Sequence, residues 1–120
     1  MDTVIVFFDA RLSIIMAYTP RENLTMPAYA IVRATITDAE RFKDYVAETP
    51  ALLEKYGARF LARGGDVVTL EGEEEERRIV LIEYPSKEIA LEFYRSDEYA
   101  ELLAIMKESG TRDFILVDGI

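Results

Sequence analysis

The sequence predicts an α+β fold with the order strand, helix, strand, strand, helix, strand, the ferredoxin-like arrangement of an antiparallel sheet with helices on one face. Three observations carry this reading. Apolar residues alternate with a period of two in several separate runs, helical spacing appears after the first run and before the last, and glycine or proline punctuates the joints. With 120 residues, 50% of them hydrophobic, the chain can bury one core without disulfides.

The first 25 residues pattern differently from the rest. Val4 to Phe8 and Leu12 to Ala17 are apolar, but Asp9 and Arg11 separate them, and a bilayer span takes roughly 18 or more apolar residues. Asp2 and the lack of an early Lys or Arg argue against a secretory signal, so the expected location is cytoplasmic. Residues 1–25 are read as an N-terminal extension upstream of a natural start at Met26, the alternative being an added strand or helix that covers a sheet edge. Residues 26–120 form a single domain in this reading.

From Pro27 the pattern becomes regular. Ala28 to Ile36 alternates Ala30, Val32, Ala34 and Ile36 against Tyr29, Ile31, Arg33 and Thr35, which predicts the first strand. Thr37-Asp38-Ala39-Glu40 has the form of a capping box, and Phe42, Tyr45, Val46, Thr49, Leu52, Leu53 and Tyr56 then recur at helical spacing until Gly57. Pro50 lacks an amide proton and crowds the preceding turn, so this helix is expected to kink or split near Thr49.

The stretch from Ala58 to Tyr84 holds the central strands and the only charged residues at apparent interior positions. Alternation sets Arg59, Leu61 and Arg63 against Phe60 and Ala62, and Gly64-Gly65 then breaks the strand. A resumed strand is expected over Val67 to Glu71. Glu73 to Glu76 follow as a solvated acidic turn or a carboxylate cation site, and Arg77-Arg78 form a charged connection. The next strand places Ile79, Leu81 and Glu83 on one face and Val80, Ile82 and Tyr84 on the other. Ser86 caps a helix that buries Ile89, Ala90, Phe93 and Tyr94, and Ser96-Asp97 interrupts it. A further helix over Asp97 to Ser109 uses Tyr99, Leu102, Leu103 and Met106, ends at Gly110, and leads to a last strand from Asp113 to Val117.

A net charge of −9 opposes binding to nucleic acid or an anionic membrane, both of which require clustered Lys and Arg. The chain contains neither cysteine nor histidine, which removes thiol chemistry, the commonest general base and the commonest zinc and haem ligands. Chemistry must then come from carboxylates, Tyr, Arg, Lys, Ser or a borrowed cofactor. No cofactor or metal site is assigned.

Glu83 is the unusual residue, because an isolated buried carboxylate costs several kcal/mol and must be solvated, paired or functional. Arg59 and Arg63 are its natural partners, and alternation predicts all three on the sheet face away from the helices, lining a cavity. In this reading Arg59 and Arg63 hold an anion, Glu83 moves a proton and Tyr94 orients the substrate, with Arg33 and Tyr45 as further binding residues. The bland alternatives are a structural ion pair for the first three, core aromatics for Tyr45, Tyr94 and Tyr99, and an interface position for Arg33. Ser86 and Ser96 read as helix caps. A sheet apolar on both sides usually covers its second face with another subunit, so a homodimer is expected.

Several motifs resemble the family called domain of unknown function 1330. They are Tyr56-Gly57-Ala58-Arg59-Phe60-Leu61-Ala62-Arg63-Gly64-Gly65, Leu70-Glu71-Gly72, Ile82-Glu83-Tyr84-Pro85-Ser86 and Tyr94-Arg95-Ser96-Asp97-Glu98-Tyr99, with Ala28-Tyr29 and the Tyr45 helix. The resemblance spans Met26 to about Gly119, and departs at Gly57-Ala58, where members often have Gly-Gly. It implies a dimeric α+β barrel. The wider superfamily includes cofactor-independent monooxygenases, small isomerases, haem enzymes and members with no known activity, so membership alone does not decide function. With no histidine, the haem branch is set aside. The function expected is a cofactor-independent enzyme, monooxygenase- or isomerase-like, on a small anionic or carbonyl metabolite. The alternatives are a non-catalytic ligand-binding or structural homodimer, and a subunit that binds partners through its acidic surface.

Overall fold

The computed structural model describes residues 26–120, so the expectations for residues 1–25 lie outside the described residues. β1 (Ala28–Ile36) pairs antiparallel with both β3 (Arg78–Tyr84) and β4 (Gly110–Asp118), and β2 (Arg59–Arg63) adds outside β3. The sheet order is therefore β2-β3-β1-β4. Three helices, α1 (Ala39–Lys55), α2 (Lys87–Tyr94) and α3 (Asp97–Ser109), complete the ferredoxin-like α+β fold.

The alternation in β1 has a direct structural result. Ala28, Ala30, Val32 and Ala34 are buried under the helices, and small side chains at these positions let α2 approach closely. Phe93 and Tyr99 are nearly inaccessible and pack ring to ring at 4.5 Å, with Tyr84 5.7 Å and Tyr56 5.6 Å from Phe93. This aromatic group, with Leu53, Ile82 and Leu102, is the core. Across the sheet, Leu61, Ile115 and Val117 are each about half exposed on the open face.

Four local expectations change. The cap of α1 is Asp38, whose carboxylate accepts from the Arg41 amide, while the Thr37 amide and hydroxyl donate to the Ser109 carbonyl. The capping box gives way because Thr37 is tied to the end of α3. α1 runs unbroken through Pro50, and Thr49 turns its hydroxyl onto the Tyr45 carbonyl inside the helix. Val67 to Glu71 is not a strand. No neighbouring strand is there to pair with it among the described residues, and Val68 and Leu70 stand 72% and 89% exposed. β4 begins at Gly110, earlier than expected, because β1 supplies partners along its whole length down to Ile36.

The long β2–β3 connection is anchored at its far end by charge. Arg77 donates from its amide and its guanidinium to Glu75 at 2.8–3.1 Å and reaches Asp113 at 2.9 Å. Among the described residues no group of three acidic side chains is gathered as metal ligands. The hydrogen bonds from Arg77 hold the Glu75 carboxyl down at about 2, against an ordinary 4.5. A carboxyl whose folded pKa is depressed stabilises the chain above its unfolded pKa and loses that contribution as pH falls. The difference in urea midpoint between the parent chain and Glu75→Gln should therefore be constant above about pH 4.5 and vanish as pH approaches about 2. A difference independent of pH across that window would mean that the pair does not anchor the loop.

Candidate functional site

A cavity of about 50 Å³ lies between α1 and the helix-facing side of the sheet. Its walls are mainly apolar, from Phe42 and Val46 on α1, Phe60 on β2, Val80 and Ile82 on β3 and Phe114 on β4. Three arginines also line it: Arg63, Arg78 and Arg112. Each guanidinium lies over a ring, Arg63 4.5 Å from Phe60, Arg78 5.4 Å from Phe42, and Arg112 4.9 Å from Phe114. Among the described residues, no Asp or Glu lines the cavity and no carboxylate pairs with any of the three. In a chain of net charge −9, this is a local concentration of uncompensated positive charge against an apolar wall.

Backbone geometry positions each arginine. Phe60 opposes Ile82, but Ala62 opposes Leu81 and Arg63 opposes Val80, so Leu61 is the extra residue of a β-bulge. The bulge reverses the parity of β2 and turns Arg63 to the helix side with Phe60. Gly64 follows at φ 70°, a left-handed conformation that favours glycine, and its amide donates to the Ile79 carbonyl at 2.9 Å. A side chain at Gly64 would collide with the Arg78 guanidinium.

Arg112 ends in a polar cluster. Its Nη1 donates to the Tyr45 hydroxyl at 3.1 Å, its Nη2 donates to the Tyr99 hydroxyl at 2.5 Å, and the two hydroxyls are 2.7 Å apart. Burial pushes the Tyr99 hydroxyl well above the ordinary tyrosine range, as it does for Tyr84, so both remain protonated at neutral pH. The Tyr84 hydroxyl is buried with no hydrogen-bond partner among the described residues.

The six residues expected to form the site do not gather in one place but separate into three pairs. Arg59 and Glu83 do pair, at 2.6 Å, on the face away from the helices, but Arg59 is 73% exposed. The pair is a surface ion pair of the kind worth roughly 0–1 kcal/mol, not a buried one. Arg63, expected beside them, is on the opposite face because of the bulge. Arg33 lies on the open sheet face opposite Asp113 and Ile79, its Nε buried without a partner among the described residues. Tyr94, expected on the buried side of α2, is 37% exposed at its end, its ring 5.5 Å from Tyr99 and 5.4 Å from Phe114; it does not line this cavity but, with Arg33, a separate open surface concavity. The cavity expected on the far side of the sheet is on the helix side. Of the six, it receives Arg63 and Tyr45.

The family described as Domain of unknown function (DUF1330) matches residues 27–120. The chain belongs to this family. No curated protein sequence matches it. Among solved structures, a DUF1330-like fold recurs in a protein of unknown function from Rhodopseudomonas palustris, with TM-score 0.65, 18% identity, and 79% of this chain and 83% of that one covered. It recurs in SnoaB, a cofactor-independent oxygenase from Streptomyces nogalater, with TM-score 0.55, 12% identity and coverage of 80% and 95%. A hypothetical Arabidopsis thaliana protein aligns with TM-score 0.60, 18% identity and coverage of 80% and 90%. At these identities the likeness is one of fold.

Sequence reasoning missed Arg78 and Arg112 in this DUF1330 chain. Arg78 shares parity with Val80, Ile82 and Tyr84, and Arg112 with Phe114 and Leu116. Extending each strand by its own alternation would have found both. They were lost because each sits at a strand end that reads as a turn.

Proposed function

We propose that the protein takes a small, mostly apolar anion or carbonyl compound into the cavity under α1, and acts on it as a cofactor-independent enzyme. One observation carries the reading: three arginines line an apolar cavity to which no carboxylate among the described residues contributes. An anion bound there gains charge-assisted hydrogen bonds in a partly water-excluded space, where such bonds are strongest. Arginines aimed at developing negative charge are also a common means of transition-state stabilisation. The fold shared with SnoaB supports an enzymatic role by analogy alone. A second reading, a binding protein without turnover, is favoured by a specific feature: among the described residues no carboxylate or imidazole lines the cavity to serve as a base.

Calorimetry with benzoate and with methyl benzoate tests the common part of both readings. Benzoate should bind and its neutral ester should bind at least about tenfold more weakly, as expected when one charge-assisted hydrogen bond is lost. Equal binding, or no binding of either, would refute an anion cavity. Turnover assays on any aromatic or carbonyl anion that binds then separate enzyme from binder.

The proposal includes a homodimer in the cytoplasm. Tyr29, Ile31, Ile79 and Leu81 share the open sheet face with half-exposed Ile115 and Val117, an apolar surface of the kind that another subunit covers. Sedimentation equilibrium at micromolar concentration should give twice the chain mass. A single-chain mass would remove this part of the proposal.

A further inference from the structure

We infer that the deepest group bound in the cavity is the oxygen of a phenol or enol held as its anion, and that Tyr45 donates a hydrogen bond to it. The inference rests on the reading that the cavity takes an anion, and it follows from counting protons in the Arg112 cluster.

Tyr99 is fully buried, and its hydroxyl touches only Tyr45 and Arg112 among the described residues. A guanidinium has no acceptor, so the Tyr99 proton goes to the Tyr45 oxygen. That oxygen also accepts from Arg112 Nη1, which fills both of its lone-pair positions. The proton of Tyr45 is therefore left over. No acceptor for it exists among the described residues, and Tyr45 lines the cavity whereas Tyr99 does not. The leftover proton thus belongs to the residue that lines the cavity, and its hydroxyl is polarised by a cation and by a second hydroxyl, which makes it a strong donor.

The same geometry selects the ligand. Arg112 holds two oxygens 2.7 Å apart on Nη1 and Nη2, one on each arm, where a carboxylate would otherwise seat its two oxygens. The end-on fork is occupied, so the deep end offers one donor and one unbalanced charge, which matches a single oxyanion. Phe42 stacks on Tyr45 at 5.8 Å and Phe114 lies under Arg112, giving flat walls for a planar ring or enol. Carboxylates would bind instead at Arg63 or Arg78, whose forks have no carboxylate partner among the described residues. Among the described residues, the charged and titratable groups around this end are Tyr45 from α1, Tyr99 from α3, Tyr84 from β3 and Arg112 from β4, and none is a carboxylate. An ionisable hydroxyl bound there meets a cation and donors that favour its charged form, so its pKa falls.

The test uses 4-nitrophenol, whose anion is yellow, titrated with and without saturating protein. Its apparent pKa should fall by at least about one unit on binding, equivalent to the anion binding tenfold or more tightly than the neutral phenol. Tyr45→Phe keeps the ring against Phe42 and should reduce 4-nitrophenolate affinity about tenfold while leaving benzoate affinity unchanged, with the melting temperature lowered by several degrees because the buried Tyr99 hydroxyl loses its acceptor. Bound 4-nitrophenol with an unshifted pKa, or full anion affinity in Tyr45→Phe, would overturn the inference. If benzoate binds and 4-nitrophenol does not, the anion cavity stands and this assignment falls. If neither binds, both fall.

Discussion

Arg112→Met is expected to fold normally, to keep its stability within about 1 kcal/mol, and to bind 4-nitrophenolate roughly 10–100-fold more weakly. The two effects separate because this guanidinium has no carboxylate partner among the described residues to leave behind. Removing one member of a buried ion pair strands the other charge and costs several kcal/mol, whereas Arg112 holds only two hydroxyls, and these remain 2.7 Å from each other once it is gone. Methionine replaces much of the stem's contact with Phe114 and Tyr45. What disappears is the positive charge at the deep end and the polarisation of the Tyr45 hydroxyl. Denaturant unfolding and calorimetry on one preparation measure both. A variant that loses several kcal/mol while binding anions as before would assign Arg112 to the core and remove it from the site.

Phe93→Ala is expected to give the largest loss of stability in the domain, about 3–5 kcal/mol. Phe93 is 1% exposed and stands at the centre of the aromatic group, within 5.7 Å of the rings of Tyr56, Tyr84 and Tyr99. The cavity left would be walled by large rings that cannot turn to fill it, so little of the cost is recovered by collapse. For a domain of this size the loss corresponds to roughly 15 °C or more in melting temperature. A drop of only a few degrees would show that α2 can slide to close the gap.

These two residues also mark what the sequence made legible. Phe93 was readable because its helix repeats apolar residues with a helical period from Ile89 onward, and the structure buries it as that spacing requires. The four paired strands and three helices follow from the same two periodicities, and Ser86 and Ser96 cap α2 and α3 by accepting from the Ile89 and Tyr99 amides. The candidate site was less legible for two physical reasons. A bulge inserts one residue without any change in composition, so strict alternation carried Arg63 to the face of Arg59 and Glu83 when Leu61 had moved it to the other. Arginine at a strand end looks like a solvated turn, and whether its long side chain folds back into a cavity depends on the rings it meets. Val67 to Glu71 failed as a strand for a related reason: alternation describes a segment, but a strand also needs a neighbour.

The central claim is that anions enter on the helix side of the sheet, among Arg63, Arg78 and Arg112, and not at the Arg59–Glu83 pair. The most direct measurement is a crystal structure of the protein with 4-bromophenol at a pH where the phenol is ionised, located by the anomalous signal of its bromine. The expected result is one bromine peak between α1 and the sheet, with the ligand oxygen within hydrogen-bond distance of the Tyr45 hydroxyl. A peak confined to the open sheet face beside Arg59 or Arg33, with the helix-side cavity empty, would contradict the account.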